Sequence, residues 1–157
     1  VAEGDYVLFQ DADLEYDPND YHLILKPVVL LEADIVFGSR NLAPQMTRVH
    51  YYWNRVGNRL ITFIFNILNN TTFTDIYSCY FLFKRSLVDP KELRENGWAQ
   101  QAEILGVAIK RGSTFYEVPI SYFGRTHAEG KKIRAYHTFN VILVIMKKAL
   151  FGKKIKN

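Results

Sequence analysis

The chain has 157 residues, 48% of them hydrophobic, which is enough to build one domain with a buried core. Its single cysteine, Cys79, excludes an internal disulfide framework and favours a reducing compartment, and no apolar run approaches the roughly 18 residues typical of a membrane span. The net charge of +4 is uneven, because residues 1–130 carry −4 whereas the rest carry +8 without an acid. Such a basic end favours phosphate groups. Aromatic residues are spread along the whole chain, so we predict no nucleic-acid partner.

The first predicted element is a strand over Tyr6–Phe9, a short apolar run typical of a buried parallel strand. It ends at Asp11 and Asp13, which are separated by one alanine. Ligands of open α/β sheets bind at the carboxyl ends of strands, and two carboxylates there suit Mg²⁺ or Mn²⁺ carrying a diphosphate. A helix-capping turn is the simpler alternative. A calcium-binding EF-hand is excluded, because it requires Gly and Glu where this chain has Tyr16 and His22.

The Asp17-Pro18 pair predicts the start of a helix that runs to about Leu25. Pro27 is expected to kink or restart this helix, because proline removes a backbone hydrogen bond and clashes with the preceding turn. A second buried strand is predicted over residues 34–37, followed by a Gly-Ser-Arg sequence that ends at Arg40. The order strand, helix, strand predicts a parallel α/β sheet, which places Arg40 at the same edge as the two aspartates.

The rest of the chain continues this alternation of helices and strands. The predicted elements are a helix over residues 48–68, a strand over 80–83, a short helix over 101–111, an extended segment over 114–123 and a final helix over 139–151. Pro119 favours an edge position for the extended segment. The final helix ends in lysines, so that an apolar stretch and a basic tail adjoin.

In the order and spacing of several short blocks, the chain resembles the family-2 glycosyltransferases, in the branch of dolichyl- or undecaprenyl-phosphate mannosyl- and glucosyltransferases. No single block is specific, but together they span most of the chain. The blocks are residues 10–15 with Pro18, 38–40, 53–58, 74–75 with Tyr80, 101–104, 117–122 and 125–133.

The resemblance implies a GT-A fold, which is a Rossmann-like α/β fold with a mostly parallel sheet and helices on both faces. It also implies that the chain is truncated at its N-terminus, because the strand and acidic turn that hold the nucleobase in this family have no counterpart. We therefore predict that residues 1–135 are the C-terminal two thirds of a catalytic domain. Residues 136–157 are predicted to form an amphipathic helix and a basic tail.

The resemblance assigns Asp11 and Asp13 to the metal and the diphosphate, with Glu15 as a further oxygen ligand. Glu15 stands where the family often has Gln, and Cys79 where it often has Gly. Arg40, beyond a strand end, is expected to contact the phosphate of a lipid acceptor. The remaining predicted phosphate-binding residues are Arg125, Lys131 and Lys132, with Arg55 a weaker candidate; the alternative for these bases is a solvated surface.

Asp75 and Glu103 are the remaining candidate catalytic residues. A phosphate monoester has a second pKa of about 6 and is already an anion near neutral pH, so these carboxylates need not act as bases and are expected to orient sugar hydroxyls. A saccharide hydroxyl is the alternative acceptor, and it must lose a proton. Glu103 has a simple alternative as a carboxylate on the surface of a helix, and Glu117 is expected to be structural.

The predicted function is therefore transfer of a hexose from a GDP- or UDP-linked sugar to a polyprenyl phosphate, with inversion and with Mg²⁺ or Mn²⁺. The alternative acceptor leads to cell-surface polysaccharide synthesis. An alternative of another class is a chain without activity of its own that acts as a membrane-surface or partner-binding module. We predict a cytoplasmic location, peripheral on an anionic membrane surface.

Overall fold

The computed structural model describes residues 2–42, 52–125 and 135–151. Four strands and four α-helices alternate along these residues, apart from short 3₁₀ turns. The strands are β1 (Tyr6–Phe9), β2 (Ile35–Ser39), β3 (Phe81–Lys84) and β4 (Phe115–Pro119), and the helices are α1 (Tyr21–Leu31), α2 (Tyr52–Asn69), α3 (Gln100–Ala108) and α4 (Ala135–Phe151).

The strands form one mixed sheet in the order β1-β3-β2-β4. β2 and β4 are parallel, whereas β3 runs antiparallel to both of its neighbours, β1 and β2. Three strands therefore share a direction, as the sequence predicts, and one does not. The prediction of a buried parallel β1 is wrong within the described residues, because β1 pairs only with antiparallel β3 and its side chains are half-buried or exposed. The edge position predicted from Pro119 is confirmed for β4.

Helices cover both faces of the sheet, as predicted. Alternate residues of β2 point to opposite faces, so that Ile35 and Phe37 join one core and Val36 joins the other. The larger core lies under α2, α3 and α4, and Val141 and Ile145 of α4 are buried in it. The smaller core lies under α1 and includes Ile24 together with the aromatic and apolar residues Tyr16, Tyr80, Ile120 and Tyr122.

The first helix begins as predicted and ends differently. The carboxylate of Asp17 accepts a hydrogen bond from the backbone N–H of Asn19, and Pro18 opens the 3₁₀ turn that leads into α1. The helix continues through Pro27 to Leu31 without a restart. Pro27 is buried in the domain, and this packing offsets the cost of about 3 kcal/mol that proline imposes inside a helix.

Two observations bear on the predicted membrane association. Across the described parts of the chain, no helix is long and apolar enough to cross a membrane. Exposed apolar side chains nevertheless follow the outer faces of α2 and α4, which pack against each other. These side chains are Trp53, Val56, Leu60, Phe63 and Ile67 on α2 and Phe139, Leu143, Met146 and Leu150 on α4.

Candidate active site

The carboxyl ends of β1 and β2 open into one cavity with a volume of about 840 Å³. Asp11 and Asp13, which follow β1, and Arg40, which follows β2, all line it. The other walls come from α2, from the segment before α3 and from the start of α4. Their lining residues include Trp53, Asn54, Asn58, Tyr77, Trp98, Gln101 and Thr138. The structure thus brings together acids and an arginine that are far apart in sequence.

Arg125 spans two of the acids in this cavity. Its Nη2 atom donates to the Asp13 carboxylate at 2.6 Å, and its Nε atom donates to Oε1 of Glu15 at 2.9 Å. Its backbone N–H also donates to Oε1 of Glu15, at 2.9 Å. Two carboxylates therefore converge on a single cation, which neutralises part of their charge.

Glu15 is held from several directions. Besides Arg125, the hydroxyl of Tyr122 donates to its second oxygen at 2.9 Å. Partial burial alone would raise the pKa of Glu15, but the bonds from Arg125 and Tyr122 outweigh it and hold the pKa below its ordinary value. Glu15 is therefore a carboxylate near neutral pH, with the charge that a cation ligand requires.

Asp11 has a different environment. Its backbone N–H donates to the sulfur of Cys79 at 2.6 Å, and the backbone N–H of Cys79 in turn donates to the hydroxyl of Tyr16. Burial, followed by the nearby charge of Asp11, raises the pKa of the Cys79 thiol, so the thiol stays protonated at neutral pH. The Asp11 carboxylate lines the cavity wall.

Arg40 is fixed by a buried carboxylate. Its Nε and Nη2 atoms donate to the two oxygens of Asp75 at 2.6 and 2.9 Å, and its backbone N–H donates at 3.2 Å. Burial alone would lower the pKa of Arg40, but the charge of Asp75 raises it well above its ordinary value. Asp75 is 1% exposed, whereas the Arg40 side chain is 15% exposed and reaches the cavity. Asp75 thus acts on the cavity through Arg40.

Glu117 binds the backbone next to the Asp75 side chain. Its carboxylate accepts hydrogen bonds from the backbone N–H groups of Thr74 and Asp75 at 2.8 to 3.1 Å. Burial raises the pKa of Glu117 despite these bonds. The side chain does not line the cavity, and its contacts match the structural role expected from the sequence.

Tyr122 contacts both an arginine and an acid of the cavity. The Arg40 guanidinium lies 5.0 Å from the centre of the Tyr122 ring, and the Tyr122 hydroxyl donates to Glu15. Cation–π contact and hydrogen bond thus fix both charged groups relative to one ring. Burial first, and then Glu15, raise the pKa of Tyr122 to about 12, so its hydroxyl remains a donor at neutral pH.

Glu103 does not line this cavity. Its side chain is fully buried and accepts hydrogen bonds from the backbone N–H groups of Arg94 and Glu95, and Lys148 of α4 lies 2.6 Å from one carboxylate oxygen. Burial alone would raise the pKa of Glu103, but these contacts outweigh it and lower the pKa. Glu103 therefore joins α3 to α4 through its ion pair with Lys148. Its neighbours Gln101 and Ile104 line the cavity.

Apart from Arg40 and Arg125, no predicted phosphate-binding residue in the described part of the chain lines the cavity. Arg55 is exposed on α2 and is not part of the cavity wall, although Asn54 and Asn58 of the same helix are. Lys131 and Lys132 lie outside the described residues.

Residues 1–90, more than half of the chain, match the model of the family described as glycosyl transferase family 2. The chain belongs to glycosyl transferase family 2. The matched region contains Asp11, Asp13, Arg40 and Asp75, whereas Tyr122 and Arg125 lie beyond it.

Proteins similar to this chain include several glycosyltransferases. Glycosyltransferase AglJ of Haloferax volcanii is 35% identical over 127 residues, covering 78% of this chain and 40% of AglJ. The low-salt glycan biosynthesis hexosyltransferase Agl6 of the same organism is 29% identical, and the match covers 79% of this chain and 30% of Agl6. A UDP-N-acetylglucosamine–dolichyl-phosphate N-acetylglucosaminyltransferase of Methanococcus voltae is 28% identical, and the match covers 74% of this chain and 47% of that protein. The chain therefore spans less than half the length of these relatives.

A solved structure confirms the GT-A fold. Glucosyl-3-phosphoglycerate synthase from Mycobacterium tuberculosis, in complex with Mn²⁺, UDP and phosphoglyceric acid, matches with a TM-score of 0.63. The match covers 97% of this chain and 51% of that chain at 13% identity, which establishes the fold alone.

The acids of this family 2 chain fit a divalent cation that is shared with a substrate. Among the described residues, no three acidic, histidine or cysteine side chains converge closely enough to hold a metal by themselves. The convergence of Asp13 and Glu15 on the Arg125 guanidinium nevertheless shows that these two carboxylates can approach one cation. Mg²⁺ is commonly bound through one or two carboxylates, with substrate phosphates and water completing its shell. The chemistry of the donor set therefore matches a cation bound together with a diphosphate.

Tyr122 is the site residue that the sequence analysis did not single out. It lies three residues after Pro119, in an extended segment whose alternation places Ile120 and Tyr122 in the same core. This alternation could have predicted burial of the ring. The contact with Arg40 depends on the pairing of β2 with β4, which a periodic pattern does not reveal.

Proposed function

We propose that the protein transfers a hexose from a GDP- or UDP-linked sugar to a polyprenyl phosphate, with inversion at the anomeric carbon. The observation that carries this proposal is that acids and a fixed arginine line the same cavity. Asp11, Asp13 and Glu15 line it together with Arg40, which Asp75 holds in place. The acids suit a cation-bound diphosphate, and Arg40 suits the phosphate of an acceptor.

In the proposed reaction, an oxygen of the acceptor phosphate attacks the anomeric carbon from the face opposite to the diphosphate. The new bond between this oxygen and the carbon forms as the bond from the carbon to the diphosphate breaks, and the diphosphate leaves with the electron pair. Bound Mg²⁺ or Mn²⁺ would stabilise the negative charge that develops on the leaving group. Asp11, Asp13 and Glu15 would hold the cation, while Arg40 would orient the acceptor with its planar guanidinium.

The cavity favours a phosphate acceptor over a saccharide hydroxyl. Of the described residues, the carboxylates in the cavity wall are Asp11, Asp13 and Glu15, and all three are assigned to the cation. Asp75 and Glu103 do not line the wall and are engaged elsewhere. A phosphate monoester needs no base near neutral pH because its second pKa is about 6. A sugar hydroxyl would need a base, and among the described residues no carboxylate of the wall remains for that role.

Transfer to a polyprenyl phosphate can be tested directly on the full-length protein. Each radiolabelled nucleotide sugar would be incubated with polyprenyl phosphate and Mn²⁺, and lipid-soluble label would be measured. We expect Asp13→Asn and excess chelator each to abolish transfer, whereas Asp5→Asn, an exposed acid outside the cavity, retains it. Near-native turnover of Asp13→Asn, or full turnover in chelator, would contradict the metal assignment. Transfer only to a saccharide would establish the alternative acceptor.

We further propose that the outer faces of α2 and α4 rest on an anionic membrane. Trp53 at the start of α2 and Thr138 near the start of α4 line the cavity, so the apolar faces adjoin its mouth. Trp53 is 78% exposed and Phe139 is 67% exposed. The +8 charge after Glu129 would add attraction to acidic head groups, at about 1 kcal/mol for each base near the surface. A lipid-linked acceptor needs this arrangement because its phosphate remains at head-group level.

Vesicle flotation tests the docking surface without disturbing the core. We expect the substitutions Phe139→Ser, Leu143→Ser and Leu150→Ser, made together, to release the full-length protein from phosphatidylserine vesicles. A matched control replaces Leu25, Val29 and Leu30, exposed apolar residues of α1, with serine and should leave binding unchanged. Equal binding of both triple variants, or no release of the native protein at high salt, would count against the surface.

A further inference from the structure

We propose that Arg125 is an exchangeable counter-ion, which neutralises Asp13 and Glu15 before the donor binds and then transfers to the diphosphate of the incoming nucleotide. The divalent cation and the nucleotide would consequently bind cooperatively, each strengthening the binding of the other. This inference rests on the proposed metal-dependent function and adds the order of events at the same acids.

The contacts of Arg125 place it in competition with the cation. Its Nη2 atom lies 2.6 Å from Oδ2 of Asp13, and its Nε atom lies 2.9 Å from Oε1 of Glu15. A guanidinium remains protonated in proteins, so this positive charge cannot be removed by releasing a proton. A divalent cation on the same oxygens would be a like charge at contact distance. The guanidinium must therefore move for the cation to bind there.

The local structure allows the side chain to move while its backbone stays. The backbone N–H of Arg125 donates to Glu15 Oε1, and the backbone N–H of Phe123 donates to the Glu15 carbonyl, at 2.9 and 2.8 Å. The Arg125 side chain is 44% exposed, whereas that of Glu15 is 13% exposed. Glu15 keeps its bond from Tyr122 when the guanidinium leaves, and it remains oriented toward the cavity. The mobile partner is thus the arginine.

A diphosphate is the partner that would accept the displaced charge. Arg125 lines the same cavity as Asp11, so a diphosphate bound to the cation would lie within reach of the guanidinium. Arginine also has a planar fork that matches phosphate oxygens. Arg40 contrasts with Arg125, because both oxygens of buried Asp75 hold it and its side chain is only 15% exposed. Arg40 is suited to a fixed role, and Arg125 is suited to exchange.

The exchange predicts opposite effects of one substitution under two conditions. In Arg125→Gln, Mn²⁺ alone should bind more tightly than in the native protein because its competitor is gone. With UDP or GDP present, Mn²⁺ should bind less tightly than in the native protein because the diphosphate has lost a ligand. The native enhancement of Mn²⁺ affinity by nucleotide should fall by about tenfold, within the usual range of coupling between two sites. A role limited to folding would weaken binding in both conditions.

Electron paramagnetic resonance of free Mn²⁺ measures these affinities without turnover. Titrations would use full-length native protein, Arg125→Gln and Arg125→Lys, each without nucleotide, with UDP and with GDP. The lysine variant retains the charge, so nucleotide should enhance its Mn²⁺ affinity more than it does in the glutamine variant. Arg111→Gln is the matched control, since Arg111 pairs with Glu92 outside the cavity wall, and it should behave like the native protein.

Asp13→Asn separates failure of this inference from failure of the proposed function. Loss of Mn²⁺ binding in Asp13→Asn supports the proposed metal site. If that loss occurs but Arg125→Gln leaves both affinities unchanged, or lowers both equally, the exchange is overturned and the metal site stands. If Asp13→Asn binds Mn²⁺ with UDP or GDP as tightly as the native protein, the metal site itself is wrong, and the exchange falls with it.

Discussion

Arg40 donates to both carboxylate oxygens of Asp75, and the carboxylate is almost completely buried while the guanidinium reaches the cavity. Removing one partner of such a pair leaves a charge without compensation. We expect Asp75→Asn to lower the free energy of unfolding by about 3 kcal/mol and to raise the KM for the acceptor more than the KM for the nucleotide sugar. Urea unfolding and initial-rate kinetics measure these two effects.

A double-variant comparison tests whether Asp75 acts through Arg40. Residues in direct contact give non-additive effects. We expect Arg40→Gln combined with Asp75→Asn to bind the acceptor no worse than Arg40→Gln alone. Fully additive losses would show that Asp75 has a separate role at the acceptor.

The Tyr122 hydroxyl is expected to serve the donor side of the cavity. Tyr122→Phe removes the bond to Glu15 but retains the ring beside Arg40. Hydrogen bonds to charged groups contribute about 1.5–3 kcal/mol, so we expect roughly a tenfold rise in the KM for the nucleotide sugar and little change for the acceptor. Tyr6→Phe is the control, because Tyr6 is the first residue of β1, at the end away from the cavity, and its hydroxyl donates to the carbonyl of Ala33. An equal rise for both substrates would contradict this division.

Much of the fold could be predicted from local patterns, whereas most contacts of the site could not. The Asp17-Pro18 cap, the strand-to-acid transition before Asp11 and the edge character of β4 each depend on residues close in sequence. The antiparallel insertion of β3 between β1 and β2 depends on pairing across long separations. Periodicity describes the faces of a strand but does not identify its neighbours.

Glu103 and Arg125 illustrate the limit for side chains. Glu103 was predicted as a site residue because it lies in the block 101–104, which resembles the family. In the structure it faces α4 and binds Lys148, which is 45 positions away in sequence. Arg125 was predicted as a phosphate ligand, and the structure adds its two acidic partners. The partner of a charged side chain is set by tertiary packing, so sequence identifies the type of residue more readily than its contact.

Gly38 should be sensitive to a single added methyl group. A Cβ atom there would lie 2.7 Å from Cγ2 of Ile120 and 2.9 Å from Cβ of Tyr80. Because both neighbours are buried, we expect Gly38→Ala to lower the free energy of unfolding by about 1–3 kcal/mol. At Gly57 of α2, no atom of the described residues lies within contact of an added Cβ, so we expect Gly57→Ala to raise the free energy of unfolding by up to about 1 kcal/mol. Urea unfolding gives both values, and changes of the same sign would contradict the packing argument.

The Lys148 contact should make stability depend on pH. The pKa of Glu103 is lowered in the folded chain, so its contribution is complete above the ordinary glutamate pKa of about 4.3 and is lost as pH falls through the lowered value. We expect Lys148→Met to lower the free energy of unfolding near neutral pH by about 2 kcal/mol, and by progressively less in acid, where Glu103 becomes protonated. Lys147→Met, at the exposed neighbouring position of α4, is the control and should have little effect at any pH. Urea unfolding at a series of pH values decides the matter: a loss for Lys148→Met that stays constant into acid would mean that the ion pair with Glu103 is not its cause.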